Sequence, residues 1–491
     1  MAELLKIIKY SGIYAAGTII NRAVSFIMLP IYTRFLTPAD YGILELLNIT
    51  ADIFALIFGV GISSSAIFRF YSRYEDQKDR NAVICTSTFL MIGFFLIASA
   101  LGGIFSGKLS LIIFQSSKYT YYFQLAFIIL LFQSFIEVPL IFIKALQRPF
   151  LFVGVSTCKL ILQLSLNIYF VVIQDMNVLG VLYSNLIGTL VIGGFLLIFT
   201  FKQVGLDFRR KLALSIISFG SPLIISNLAA FIYTCSDKYF LKAYASLTEV
   251  GIYSLAYKFG FLLWGFAVSP IFSIWDPKRF EIVETSNMQK LNYQVFLLLN
   301  FILIAVAIFI SLFARDLLRI MSAPQFWDAY KIIPLILFAY TIQAWIAFGN
   351  FGILYRGKTK YLALANSAAA GSNIVLNFLL IPWLKGYGAA LATIIAFAIR
   401  CIIIYYYSQR LFKIEIPWGS CLIMLILSTV IYIINLLLEI DSLIFSLAKS
   451  LMLFVCFLML IYFLPVFKKE EKKRALDLVF NKLERLRNLG Q

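Results

Sequence analysis

Residues 13–41 read IYAAGTIINRAVSFIMLPIYTRFLTPADY. Most of this is an apolar run long enough to cross a bilayer as a helix, and a short polar corner follows it. Inside the run lie Asn21 and Arg22. An arginine at that depth is strongly unfavourable unless it faces water or a partner. Tyr14, Thr18, Asn21, Arg22 and Ser25 recur at helical spacing, so they form one polar stripe on an otherwise apolar cylinder. Such a helix lines an internal cavity. Arg22 is its candidate anion contact and Asn21 its polar lining.

The rest of the chain extends this pattern. Of 491 residues, 62% are hydrophobic and 13% charged, with a mean hydropathy of +0.91. The charged share is about half that of an ordinary soluble domain. A soluble fold of this size could not hide so much apolar surface, so lipid is the solvent for most of it. The apolar runs are continuous rather than alternating, which predicts helices and not a β-barrel. Fourteen runs are legible, at about 11–31, 43–67, 83–106, 120–143, 150–173, 178–201, 213–236, 250–274, 292–313, 331–355, 361–382, 388–408, 418–438 and 443–467. The stretch 107–119 also has the composition of a short interfacial helix. The first run is long, holds Arg22 and lacks a small-residue cleavage site, so it reads as an uncleaved span.

A formal charge of +18 on a soluble protein would suggest nucleic acid. Here most lysines and arginines lie between apolar runs, where they report topology and contact with anionic membrane lipid. One set of alternate connections carries 28 basic residues and the other 9. The set with 28 includes both termini, which places them in the cytoplasm of a multi-pass membrane protein. The chain has no histidine, which excludes histidine metal sites and proton relays. Six scattered cysteines without a CxxC read as reduced apolar side chains. No cofactor is expected and no metal site.

The sequence also repeats itself at an offset near 209. Asp40 and Gly42 align with Glu249 and Gly251, Leu166-Asn167 with Leu376-Asn377, and Leu179-Gly180 with Tyr387-Gly388. Each repeat holds six runs, an even number, so the halves are related by an axis along the membrane normal. The expected fold is an all-α integral membrane protein of about 14 transmembrane helices, two six-helix bundles in parallel repeat plus two C-terminal helices. The boundaries are an N-terminal lobe at 1–201, a basic cytoplasmic linker at 202–212, a C-terminal lobe at 213–410, helices 13 and 14 at 411–467, and a basic amphipathic tail at 468–491.

Polar residues stripe both bundles and fade in the last two runs. Glu45, Asn48 and Asp52 share one helix face, as do Ser156, Lys159, Gln163 and Asn167. Asn366, Asn373 and Asn377 recur on another run, and Thr393 and Arg400 on the next. Asparagine and serine in spans often only join helices. Arg69, Lys144 and Asp237 sit near run ends, from which they can reach the interface. The deep charges are Arg22, Lys159, Lys258 and Arg400 against Asp52 and Glu137. A cavity with spare positive charge in low dielectric attracts an anion, phosphate above all. The four cations are therefore the candidate substrate ligands, with Asn21, Gln163, Asn167, Asn373 and Asn377 as polar lining. Asp52 and Glu137 are candidate sites for a coupling H⁺ or Na⁺. No Walker loop, GxGxxG or HExxH occurs, and no connection is long enough for a catalytic domain, so an enzyme is not expected.

The segment LPIYTRFLTPADYGILELL at 29–47 resembles the polysaccharide transporter and oligosaccharide flippase branch of the multidrug/oligosaccharidyl-lipid/polysaccharide exporter superfamily. The likeness extends to the two six-span halves, the basic linker, the RPFLF stretch at 148–152 and its echo at 356–360, and the two extra spans. It implies alternating access and a polyprenyl-pyrophosphate-linked oligosaccharide, undecaprenyl in type, carried from the inner to the outer leaflet for O-antigen, capsule or exopolysaccharide synthesis. Polysaccharide polymerase and chain-length proteins are then the expected partners. In that picture the cavity cations hold the pyrophosphate and sugar. The alternatives are a multidrug exporter of the superfamily, a lipid II-type flippase, or a structural membrane protein without transport. The corner from Thr33 to Gly42 reads as a packing feature, so Arg34 is left out of the site.

Overall fold

A computed structural model describes residues 28–59, 64–285, 287–438 and 440–467. Arg22, Asn21 and the tail at 468–491 lie outside the described residues. Fifteen α-helices follow a helical stretch at 28–35. Helices α1 (Pro38–Gly59), α2 (Ser64–Arg73), α3 (Gln77–Leu109), α4 (Thr120–Ala145), α5 (Pro149–Asn167) and α6 (Asn177–Val204) come first. Then come α7 (Arg210–Tyr244), α8 (Leu247–Leu263), α9 (Ser269–Glu281), α10 (Met288–Met321), α11 (Ala329–Gly349) and α12 (Phe351–Tyr355). The last are α13 (Lys360–Leu411), α14 (Trp418–Leu437) and α15 (Leu443–Phe463). No strand occurs among the described residues.

Eleven helical stretches among them are long and apolar enough to cross a membrane. One of these, α13, breaks at Lys385 (φ 47°, ψ −125°) and covers the two predicted runs at 361–382 and 388–408. The predicted run 213–236 falls inside α7, and the run 11–31 lies almost wholly outside the described residues. Two boundaries differ from the sequence reading. The stretch 107–119 is not a separate interfacial helix: α3 continues into a π-helical turn at Ser110–Phe114, which ends at Gln115 in the left-handed conformation. The connection between bundles is only 205–209, because α6 and α7 extend into the basic segment from either side. Arg209 closes it, with Nη1 2.6 Å from Asp79, Nη2 2.9 Å from Asp207 and its backbone N–H donating to Thr86 Oγ1 at 3.1 Å.

Helices α3 and α4 pack together, as do α4 and α6; α7 packs on α13, and α11 on α8 and α13. Helices α14 and α15 pack on α10. Ser446 fastens them, its hydroxyl donating to the buried Asp316 carboxylate at 2.8 Å, and Ser450 donates to Leu312 O at 3.1 Å.

The repeat is visible in the corners. At the start of α1, Thr37 N donates to Asp40 Oδ2 at 3.1 Å and Asp40 N to Thr37 Oγ1 at 3.2 Å, a capping box. At the start of α8, Glu249 N donates to Ser246 Oγ at 3.2 Å. The corner after α4 ends with Gln147 N to Lys144 O and Arg148 N to Ile143 O; the corner after α12 ends with Gly357 N to Leu354 O and Lys358 N to Ile353 O. Both are Schellman turns, and both central residues, Gln147 (φ 54°) and Gly357 (φ 63°), are left-handed. Asp175 (φ 51°) and Lys385 (φ 47°) mark a third matched pair of turns.

The bundles meet where α1 crosses α8. A Cβ on Gly42 would run into the Leu247 carbonyl, and one on Gly251 into the Pro38 carbonyl. The contact is reciprocal, as a two-fold relation between repeats requires. Beside it, Ala323 N donates to Thr33 O at 3.2 Å, Arg34 Nη2 to Ile320 O at 2.9 Å, and the Tyr41 ring meets Phe326 edge-on. Gly251→Ala should lower the unfolding midpoint of the detergent-solubilised protein, by an overpacking cost of about 1–3 kcal/mol. Gly93→Ala, where nothing lies within 4 Å, should leave the midpoint unchanged or raise it. A thermal melt of the two variants checks the pair; equal midpoints would count against a tight crossing.

Candidate functional site

One turn along α1 from the glycine crossing, Glu45 faces the C-terminal bundle. Its Oε1 lies 2.5 Å from Lys238 Nζ, on α7. The lysine is 3% exposed, and its ammonium lies 5.1 Å from the centroid of the Tyr257 ring. Close by, Thr50 and Tyr239 share a hydrogen bond of 2.8 Å across the same seam. Successive residues of α7 point in different directions, about 100° apart. Lys238 and Tyr239 thus reach α1, while Asp237 turns into its own bundle.

Asp237 is 0% exposed. Its Oδ2 accepts from Tyr253 OH at 2.5 Å, Tyr257 OH at 3.3 Å and Thr393 Oγ1 at 3.5 Å; its Oδ1 accepts from Lys238 N at 2.9 Å. A second polar group adjoins it through Ser236. Ser236 Oγ donates to Asn373 Oδ1 at 3.0 Å, and Asn377 Nδ2 donates to Asn373 Oδ1 at 3.0 Å and to Ser236 Oγ at 3.4 Å. Asn377 Oδ1 is buried and takes no hydrogen bond. Two oxygen-rich sets therefore lie next to each other along α7: the Asp237 carboxylate with Thr393, and Ser236 with the buried amides of Asn373 and Asn377. Hard monovalent cations and protons suit such donors.

The opposite bundle has a simpler counterpart. Asn167 is fully buried and donates to Gln163 O at 2.8 Å, and Gln163 Nε2 hydrogen-bonds Asn185 Oδ1. Gln163 also lines a cavity of about 320 Å³ with Ser156, Lys159, Phe152, Ile192 and Leu196.

The sequence-derived candidates fall into three groups. Lys258, Asp52 and Glu137 come together with the seam: Glu45 is within electrostatic reach of Lys258, and Asp52 of Glu45, Glu137, Lys238 and Lys258. Lys159 joins them through Glu137. Asn373 and Asn377 bond to Ser236, the neighbour of Asp237 in sequence, while Gln163 and Asn167 belong to the other bundle. Arg400 stands apart, tied within the C-terminal bundle by Nε to Asn366 Oδ1 at 2.8 Å and Nη1 to Gln343 Oε1 at 3.0 Å, with its guanidinium over Tyr233. Arg22 and Asn21 are outside the described residues.

Two residues run against the sequence reading. Asp237, expected to reach the interface from a run end, is wholly buried, because α7 continues eight residues past the predicted end of its run. Lys238 falls between the runs at 213–236 and 250–274, where a lysine ordinarily signals a loop. The missed signal was the pair itself, an acid and a base adjacent in sequence and flanked by tyrosines.

The model of the family described as polysaccharide biosynthesis protein matches residues 7–277, more than half of the chain. An uncharacterised membrane protein of Haemophilus influenzae is 24% identical over 408 residues, covering 78% of this chain and 95% of its own length. Among solved structures, the lipid II flippase MurJ in an inward closed conformation superposes with a TM-score of 0.73 at 16% identity, over 91% of this chain and 98% of its own. An inward-facing multidrug resistance MATE family transporter of the MOP superfamily gives 0.64 at 16% identity, over 79% and 94%. These structural likenesses establish a shared fold.

Tyr253→Phe removes the shortest hydrogen bond to a buried carboxylate and should destabilise the protein by about 1.5–3 kcal/mol, as for bonds to charged groups. Thr393→Val, at 3.5 Å, should have a smaller effect. Unfolding midpoints in detergent, with the order reversed, would count against Tyr253 as the main partner of Asp237.

Proposed function

We propose, for a chain that belongs to the polysaccharide biosynthesis protein family, the work of a flippase for polyprenyl-pyrophosphate-linked oligosaccharide. The observation that supports this most is the seam between the bundles. Charges from both sides meet there, Glu45 and the more exposed Asp52 from one and the buried Lys238 and half-buried Lys258 from the other. Buried charge at an interface between packed repeats is what a substrate path requires. In this reading the bundles rock about the seam, Arg22, Lys159 and Lys258 offer cations to the pyrophosphate and sugar of the cargo, and Arg400, held by Asn366 and Gln343 away from the seam, contributes at most a more distant charge. The isoprenoid tail has an apolar groove of about 490 Å³ available, between α10, α11 and α14, lined by Ile304, Ile308, Leu337, Phe338, Ile426 and Val430.

Coupling to Na⁺ or H⁺ belongs to the same proposal. Asp52 and Glu137 lie near the seam, and Asp237 with Asn373, Asn377 and Thr393 offers a second, drier place for a monovalent cation. The protein would work in the bacterial inner membrane with both termini cytoplasmic, handing its cargo to polymerase and chain-length proteins of O-antigen, capsule or exopolysaccharide synthesis. A lipid II-type cargo is the second reading. It is favoured by a likeness to the lipid II flippase that reaches further along the chain than the likeness to multidrug transporters. The positive balance of the deep charges speaks against a cationic drug as cargo.

Reconstituted into proteoliposomes, the protein should move labelled polyprenyl-pyrophosphate oligosaccharide between leaflets. Lys159→Ala and Lys258→Ala should each slow this by at least about tenfold, the loss of one charge-assisted contact. Arg22→Ala should behave likewise, and Ile444→Ala on the lipid-facing surface should not. Translocation of lipid II in preference to the oligosaccharide lipid would favour the second reading; no translocation of either by the wild type would sink both. Replacing Na⁺ with choline in the same assay tests the cation, and Asp237→Asn should abolish any Na⁺ dependence so found.

A further inference from the structure

The Glu45–Lys238 pair joins the bundles and balances the charge of the seam. With α1 in place, the Glu45 carboxylate meets the Lys238 ammonium, with Lys258 and Asp52 within electrostatic reach of the pair and Asp237 turned into its own bundle behind Lys238. Were the bundles to part here, Glu45 would leave with α1. The C-terminal bundle would keep Lys238 and Lys258 against Asp237 alone, and Asp237 already accepts from two tyrosines and a threonine. Among the described residues Lys238 has one carboxylate within ion-pair distance, and that is Glu45. A buried ammonium stripped of its partner is strongly unfavourable. An anion that takes the place Glu45 gives up therefore favours the parted form.

We infer that Glu45 holds the position on Lys238 that a phosphate oxygen of the cargo takes when the bundles separate. Lys238 is then an anion ligand in its own right, and the pair makes opening conditional on cargo. This rests on the flippase reading and deepens it. A carboxylate and a phosphate accept from an ammonium in the same way, but the phosphate carries more charge. Lys258 lies within electrostatic reach of the same Glu45, so its positive charge adds to the attraction for a phosphate placed there. A ligand that binds the parted form alone shifts the equilibrium toward it. An empty transporter would stay latched at this end.

The test uses the full chain in detergent, with its six cysteines replaced and a single cysteine at Thr50, which is 3% exposed at the seam. Maleimide labelling of that cysteine reads separation; calorimetric titration with inorganic pyrophosphate reads anion binding. Glu45→Gln should label faster and bind pyrophosphate about tenfold more tightly, because the competing anion is gone and the competent form more populated. Lys238→Gln should also label faster but bind at least about tenfold more weakly, and Lys238→Arg should keep both properties near the parent. Asp52→Asn removes a carboxylate on the same face without touching the pair and should raise affinity by less than Glu45→Gln. Parent-like binding by Lys238→Gln would overturn the inference while leaving the flippase reading intact. So would equal gains from Glu45→Gln and Asp52→Asn, which would reduce the effect to general electrostatics. Failure of the parent and every variant to bind pyrophosphate would overturn the inference together with the diphosphate cargo.

Discussion

Two helices approach each other at Gly42 and Gly251 more closely than any side chain would permit. That approach sets the geometry of the rest of the seam. Backbone lies against backbone at the crossing, so the next inward-facing residue of α1, Glu45, is delivered to Lys238 at ion-pair distance. The pair is largely shielded there, the lysine side chain 4% and the glutamate 17% exposed. An ion pair there is far from the exposed kind that contributes under about 1 kcal/mol. Removing one partner of a buried pair costs on the order of 3–5 kcal/mol, so this contact weighs heavily in how the two bundles are held.

The halves share a backbone and divide the chemistry. Their corners match turn for turn, down to left-handed residues at 147 and 357 and at 175 and 385. Their side chains do not. The positions 209 residues before Asp237 and Lys238 are Met28 and Leu29, both buried and apolar. Where the C-terminal bundle has Asn373 and Asn377 linked through Ser236, the N-terminal bundle has Gln163 and Asn167 bonded largely within their own helix. A near-symmetric scaffold thus carries its buried charges and amides unequally: among the described residues, most of them lie in the C-terminal bundle.

Much of this was legible beforehand. Continuous apolar runs gave the helices, because lipid forces every backbone group to be satisfied within its own segment. The Thr37–Asp40 and Ser246–Glu249 boxes and the two glycines were readable as a repeated corner, since capping and close approach demand specific residue types. Gln147 was not readable as left-handed, because glutamine carries no such signal; only its alignment with Gly357 reveals it. Lys238 was hidden for a different reason. Hydropathy weighs a lysine by its transfer to lipid and cannot know that a partner 193 residues away will remove the penalty. Lys258, Asp52 and Glu137 were legible as charges deep in apolar runs, but not their proximity to one another, and the isolation of Arg400 depended on amides of two other helices that no periodicity connects.

That separation of 193 residues also bears on how the chain is made. Synthesis runs from the N-terminus at about 5–20 residues per second. Glu45 therefore enters the membrane roughly 10–40 s before Lys238 exists to receive it. During that interval the first bundle stands with an unmatched carboxylate and a glycine groove open to lipid. Its maturation waits on the second bundle, and a nascent half-protein stalled there would expose the very features by which membrane quality control could recognise it.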